Sequence, residues 1–459
     1  MRNVLLVLAL FATTVPHCAA GNWPQFRGPG ARGVASNRDL PDCWSATDNV
    51  GWKTEIPGRG WSSPIVWANR VFLTTVVGQD DSAPPKGKVE GGEAFPERRQ
   101  QTTSARQWKV LCLDLLSGKV EWERLVHRGP PAAPVHVKNS YATETPVTDG
   151  DRVYAYFGGA GVFCFDFDGR LVWSKATRPH TMQFDAGTAA SPVLHGDRIY
   201  VVNDNEEQSY LLALDKRTGE EVWRVDRDER SNWCTPNVWE HEERTEIVTS
   251  GSGKVRAYDL DGRLLWWFTG MSGITVPTPF AEQGLLYLSS GYIRDKRRPV
   301  YAIRPGAVGD ISLQPDQTDN AAIAWCQPTA GPYHPTPLFY DGRLYVLYDR
   351  GRLSAFHPQT GEPLFDKERL PRRGQFWASP WAYNGRVFCL NEDGETFVVQ
   401  AGDRFELLHT NKLADDDMCF ATPALAGHRL LIRSSARIYS IEGPRRREEP
   451  EKENHRDKP

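Results

Sequence analysis

Eight times along this 459-residue chain, a proline preceded by serine or threonine opens an apolar stretch that runs into a polar turn. The anchors are Pro64, Pro146, Pro192, Pro236, Pro279, Pro337, Pro380 and Pro423, in contexts such as "TETPVTDGDRVY" and "HPTPLFYDGRLY". Successive spacings are 82, 46, 44, 43, 58, 43 and 43 residues; five agree within three, and the two long ones read as the same unit with an insertion. A fixed period of this size is the mark of a repeat fold, in which each unit buries its apolar face against its neighbours.

Each copy follows one plan. A strand begins near the proline, and a turn such as "DGDR" or "NGRV" leads to a second strand. A third follows, for example "YLLALD" or "RLSAFH". A glycine turn then leads to a fourth, centred on Trp122, Trp173, Trp223, Trp266, Trp325 or Phe365. Four short strands per repeat describe a propeller blade. The recurring tryptophans read as packing between blades.

The last copy stops after three strands, at "RIYSIE". An orphan tryptophan strand, "VGWKTEIPG", sits at the front, with Trp52 twelve residues before Pro64. Elsewhere the tryptophan-to-proline distance is also 12 or 13, as from Trp223 to Pro236 and from Trp325 to Pro337. The front strand is therefore expected to complete the eighth blade, giving an all-β, eight-bladed propeller over residues 50–441 with no open ring end.

Flanking segments read differently. "MRNVLLVLALFATTVPHCAA" has an early arginine, a short apolar core and small residues before Gly21. This is the layout of a secretory signal peptide over residues 1–20, cleaved near Ala20. Its apolar run is too short to span a bilayer; lipidation at Cys18 is the competing reading, against which stands the bulky His17. Residues 21–49 form a lead segment strapped to the propeller. Residues 442–459 are dominated by charge and proline, with no apolar residue to bury, and are expected to be disordered. The formal net charge is −3, which excludes a strongly basic nucleic-acid binder. Beyond the signal, seven cysteines are scattered singly, with no CxxC pair, which is not a disulfide framework. Cys112 and Cys164 fall at matching repeat positions and read as small buried apolar groups.

The pattern in "ALDKRTGEEVW" and "CLDLLSGKVEW" resembles the pyrroloquinoline-quinone (PQQ) repeat propellers. "NWPQFRGPGARGV" and "NSYATETPVTDGDRVYAYFG" look like the secreted PQQ-binding-like members. The resemblance covers about residues 50–441 and implies the eight-bladed fold. Its dehydrogenase branch implies a vicinal Cys–Cys disulfide against the quinone and a calcium ion beside a catalytic aspartate. No two cysteines are adjacent here, and no CxxCH haem motif occurs. No HExxH, GxSxG, Walker loop or Ser/His/Asp signature occurs either, so no catalytic or metal residue is assigned. The run Asp415-Asp416-Asp417 matches no calcium loop.

Candidate site residues come from irregularity and convergence. Links of 24 residues from Trp122 to Pro146 and of 19 from Trp173 to Pro192, together with the charged insertion 78–107, crowd one face. Loops on a rigid scaffold are where binding concentrates. The links preceding the anchor prolines converge on the axis and offer Arg59, Trp61, Tyr141, His180, Asp185, Trp233, His334 and Trp377, with Glu144 and Gln183 beside them. These suit a protein, peptide or carbohydrate ligand. The expected function is a non-catalytic binding or assembly scaffold of the cell envelope. The alternative is a PQQ- and calcium-dependent oxidoreductase of sugars or alcohols.

Overall fold

A computed structural model describes residues 21–37, 39–78, 99–100, 103–371, 374–414 and 418–443. The expected signal peptide, most of the 78–107 insertion, Asp415 to Asp417 and most of the charged tail lie outside these residues. Among the described residues the main elements are eight sheets, each built on four antiparallel strands, arranged as a propeller. In blade 6, for example, Leu338–Tyr340, Arg343–Tyr348, Arg352–Phe356 and Pro363–Arg369 pair in sequence order.

Composition along each blade follows its radial position. The second strand of blade 6, RLYVLY, is buried on both faces because neighbouring blades cover it, so it reads as a continuous apolar run. Outermost strands meet a neighbour on one face only. The strand VGWKTE accordingly alternates half-buried and exposed residues.

That last strand closes the ring. Val50–Glu55 pairs antiparallel with Arg437–Glu442, setting Trp52 opposite Ser440 and Glu55 opposite Arg437. Blade 8 thus draws its outermost strand from the front of the chain, as the repeat register predicts. Arg433 fastens the same junction from inside. It is buried and carries its guanidinium into blade 1, donating to the carbonyls of Ser62 (2.9 Å) and Thr74 (2.8 Å).

Blades are joined by one repeated dock. The Trp122 indole donates to the carbonyl of Phe167 in the next blade (2.9 Å), Trp173 to that of Lys216 (3.0 Å), and Trp223 to that of Leu260 (2.9 Å). Trp52 does the same to Leu115 (2.9 Å), carrying the dock across the closure. The indole lies on the turn glycine of the neighbour. Gly219 has φ +74°, and a Cβ there would come within 2.4 Å of the Trp173 ring. Gly219→Ala therefore combines left-handed strain with a displaced indole. The expected loss is about 2–4 kcal/mol in denaturant unfolding; a loss below about 0.5 kcal/mol would show that the dock carries no load.

Trp266 departs from this pattern. Its indole donates instead to buried Glu246 of its own blade (2.7 Å), which also accepts from Arg244 (2.7 Å). The reason lies in the long spacing before Pro337. The inserted residues supply Gly309–Asp310, which adds to blade 4 as a fifth, parallel strand beside Trp266 and Trp267. The insertion occupies the place where the dock would form.

The lead, residues 21–49, crosses the end of the propeller that carries the first turns of the blades. Trp23 exchanges backbone hydrogen bonds with Val66 of blade 1 (both 2.8 Å), and Thr148 of blade 2 donates to Pro24 (2.9 Å). Arg32 pairs with Glu282 of blade 5 (3.0 Å), and the Ala382 N–H of blade 7 donates to Gly33 (3.0 Å). At the centre of this path Arg27 is completely buried. Its guanidinium donates to the carbonyls of Ala31 (2.9 Å), Arg32 (3.1 Å), Pro337 (3.1 Å) and Pro380 (3.2 Å). The last two are anchor prolines of blades 6 and 7, so the lead is fixed to the innermost strands. Burial lowers Arg27 to about 9, which leaves it charged at neutral pH and solvated by carbonyl oxygens.

Candidate binding site

The channel holds one large cavity of about 840 Å³, at the end opposite the first turns. Phe26, the residue before Arg27, reaches it from the lead and forms part of its floor.

Its walls follow from strand alternation. In an extended segment, side chains two residues apart point the same way. The residue just before each anchor proline lines the cavity in every blade: Ser63, Thr145, Ser191, Thr235, Thr278, Thr336, Ser379 and Thr422. These form a collar. At six of the eight junctions the N–H of one collar residue donates to the hydroxyl of the next, as from Thr145 to Ser191 (2.9 Å) and from Ser379 to Thr422 (3.0 Å).

Two residues earlier, a second tier also lines the cavity in every blade: Trp61, Thr143, Ala189, Trp233, Val276, His334, Trp377 and Phe420. Its aromatic members are concentrated on one side. Trp61 meets Phe420 edge-on (4.4 Å between centroids), Phe420 meets Trp377 (4.9 Å), Trp377 meets His334 (4.3 Å), and His334 meets Tyr333 (3.9 Å). Blades 2 and 3 carry only Thr143 and Ala189 in this tier. The room so left is filled by their two long links, which bring in His136, Lys138, Asn139, Met182, Gln183 and Asp185. The insertion joins this wall through Arg99–Gln100, which pairs with Val135–His136.

The polar groups are mostly engaged. Lys138 and Glu392 form a buried ion pair (2.9 Å), and the Trp377 indole donates to the same carboxylate (3.0 Å). Asp349 accepts from the N–H groups of Tyr333 and His334 (3.2 and 3.0 Å) and lies 3.0 Å from His334 Nδ1. Glu206 accepts from the N–H and hydroxyl of Ser231 (3.1 and 2.8 Å).

Of the residues singled out from sequence, Trp61, Asp185, Trp233, His334 and Trp377 line this cavity, as does Gln183. Arg59, Tyr141 and His180 do not. Arg59 exchanges backbone bonds with Val76, and its guanidinium donates to the Val137 carbonyl (3.2 Å). Tyr141 turns back against Trp108 of blade 1 (6.0 Å), where burial pushes its phenol up to about 12. His180 is buried within the link from Trp173 to Pro192, 3.5 Å from Glu207. Glu144 is buried beneath the wall, accepting from Gly158 N–H (3.1 Å); burial raises its carboxyl above the usual range.

A PQQ–calcium pair would need oxygen ligands for a hard cation and cationic partners for an anionic quinone. Among the described residues no group of three or more His, Cys, Asp or Glu is placed to hold a metal ion. All seven described cysteines are free, and all but Cys43 are buried, with Cys112, Cys164 and Cys234 pushed up to about 12 by burial. Lys138 is already paired to Glu392. Among the described residues, the carboxylates around the cavity thus do not form a calcium site of the kind that pair would need.

The comparisons with known proteins agree with the fold. The PQQ-repeat family model described as "Outer membrane protein assembly factor BamB" matches residues 34–207, 106–269 and 207–304. The BamB of Alkalilimnicola ehrlichii is 32% identical over 169 residues, a match spanning 37% of this chain and 33% of that relative's length. Among solved structures, BamB of Moraxella catarrhalis has a TM-score of 0.55 at 12% identity, over 86% of this chain and 99% of the other. Quinohemoprotein alcohol dehydrogenase from Comamonas testosteroni has a TM-score of 0.58 at 13% identity, over 94% and 82%. At such identities the structural likeness carries the fold alone. With more than half of its length matched by the family model, this chain belongs to the PQQ-repeat propeller family described as outer membrane protein assembly factor BamB.

Proposed function

We propose that this chain is a non-catalytic binding or assembly scaffold of the cell envelope, with the channel cavity as its ligand site. The observation that carries this reading is the state of the carboxylates around the cavity. Glu206, Asp349 and Glu392 are each held by protein donors, which suits rigid presentation of a wall rather than proton transfer. Aromatic and hydroxyl tiers on a closed ring form a preorganised concave surface. Kinship with a family named for outer-membrane assembly supports a place outside the cytoplasm, in the periplasm or beyond. Residues 1–20 would direct export and be removed near Ala20. Among the described residues no helix is long and apolar enough to cross a membrane. The partner class is a protein, peptide or carbohydrate.

Reconstitution with PQQ and calcium, followed by dye reduction with alcohols and sugars, tests the reading. The expected result is no turnover above the protein-free rate. Stoichiometric quinone binding with turnover would replace the scaffold by a dehydrogenase.

A further inference from the structure

We infer that the channel cavity binds the end of a neutral oligosaccharide, which rests on the scaffold reading and gives it a ligand class. Four observations converge. First, the wall is divided in two. One side is the continuous arc from Trp61 through Phe420, Trp377 and His334 to Tyr333. Across from it the third blade's side contributes Gln183, Asp185 and Glu206. A pyranose has the matching asymmetry, with C–H faces that lie on aromatic rings and an equatorial rim of hydroxyls that bond to planar amides and carboxylates.

Second, the base of the cavity is a ring of hydroxyls. In the six collar bonds the hydroxyl accepts a backbone N–H, which leaves its own proton to donate. A ligand rich in hydroxyl oxygens accepts such donors and returns protons to the carboxylates. Third, with Lys138 neutralised by Glu392, the lining leaves Arg350 against the carboxylates Asp185, Glu206 and Asp349, so the cavity disfavours an anionic ligand. Fourth, the lip is apolar. Phe184 and Ile293, 40% and 50% exposed, both border the mouth. Phe184 and Asp185 are held at φ 58° and 50°, a left-handed pair that turns the link from Trp173 to Pro192 into the opening. A bound chain passing out of the mouth covers these two side chains.

The floor sets the mode of binding. Phe26 lines the floor and the buried Arg27 ties the lead to the innermost strands of blades 6 and 7, which favours entry of a chain by one end from the opposite mouth, with its terminal sugars at the collar. The volume falls in the usual range for sites that enclose a compact ligand, roughly 300–1,000 Å³.

Cellotriose, maltotriose and N,N′,N″-triacetylchitotriose are the probes, followed by tryptophan fluorescence and by saturation-transfer NMR on the intact chain. At least one of them is expected to bind saturably. Trp377→Ala and Gln183→Ala, on opposite walls, are each expected to weaken it by about tenfold or more. Gln183 sits in a link outside the blade cores, so its variant keeps the parent melting temperature, and Trp377→Phe retains more affinity than Trp377→Ala. If no trisaccharide binds to the folded chain, or if binding survives both alanine variants, the assignment is wrong. Failure here leaves the scaffold reading standing, whereas quinone turnover removes that reading whatever the sugars do.

Discussion

A chain beginning at Arg59 is expected to lose cooperative folding. The truncation removes Val50–Glu55 and leaves Arg437–Glu442 as an unpaired edge in a three-stranded blade. It removes Trp52 from the Gly118 turn, breaking the dock between blades 8 and 1. It also removes Trp23, Leu40 and Trp44, which are buried with the cores of blades 1, 7 and 8. Burial of one large aromatic side chain alone contributes about 3 kcal/mol or more. The combined loss, on the order of 5 kcal/mol or more, is comparable with the whole stability of an ordinary domain. The measurements are calorimetry and sedimentation: the expected product melts broadly or self-associates through the open edge. A truncated chain that melts as sharply and as high as the parent would contradict the closure.

Arg27→Ala is expected to cost about 3–5 kcal/mol, a large effect for one side chain in a segment outside the blades. The guanidinium bridges four carbonyl oxygens, two of them from Pro337 and Pro380, more than three hundred residues away. Its loss leaves these acceptors buried without donors and opens a void at the axis. Arg27→Lys keeps the charge but not the planar fork, so it recovers only part of the loss. The variant also loosens Phe26, and the floor of the cavity with it. Chemical unfolding of the three proteins side by side provides the check; an alanine variant within about 0.5 kcal/mol of the parent would mean that the lead is merely laid on the surface.

The ring was legible because its information is local and repeated. One proline anchor, one turn and one tryptophan per period suffice to count blades, and the orphan Trp52 strand fits the gap at the end of the chain. The site was legible where it follows the same period. Trp61, Trp233, His334 and Trp377 all stand three residues before an anchor, and all line the cavity. Arg59 and Tyr141 stand five before, where the link has begun to curve away, and they turn into the wall. The eight collar hydroxyls were in plain view as the residue preceding each proline, yet their inward aim follows only once strand alternation is applied to the links. Phe420, in the last copy, belongs to the same tier as Trp377 by the same rule. Other features left no local trace. Nothing near Arg27 signals that its partners are in blades 6 and 7. Nothing in the inserted segment before Pro337 signals a parallel strand that displaces the Trp266 dock.

The cavity keeps its floor only if residues 21–55 are a structural member of the ring, and hydrogen exchange on the intact chain tests this most directly. The hydrogen-bonded amides of Trp23, Gly33, Ala35 and Ile56, and those of Val50–Glu55 that face Arg437–Glu442, are expected to be protected to nearly the extent of the inner strands of blades 1 and 7, opening only with global unfolding. Exchange of these amides within seconds, while the inner strands stay protected, would contradict both the closure of the eighth blade and the floor laid by the lead.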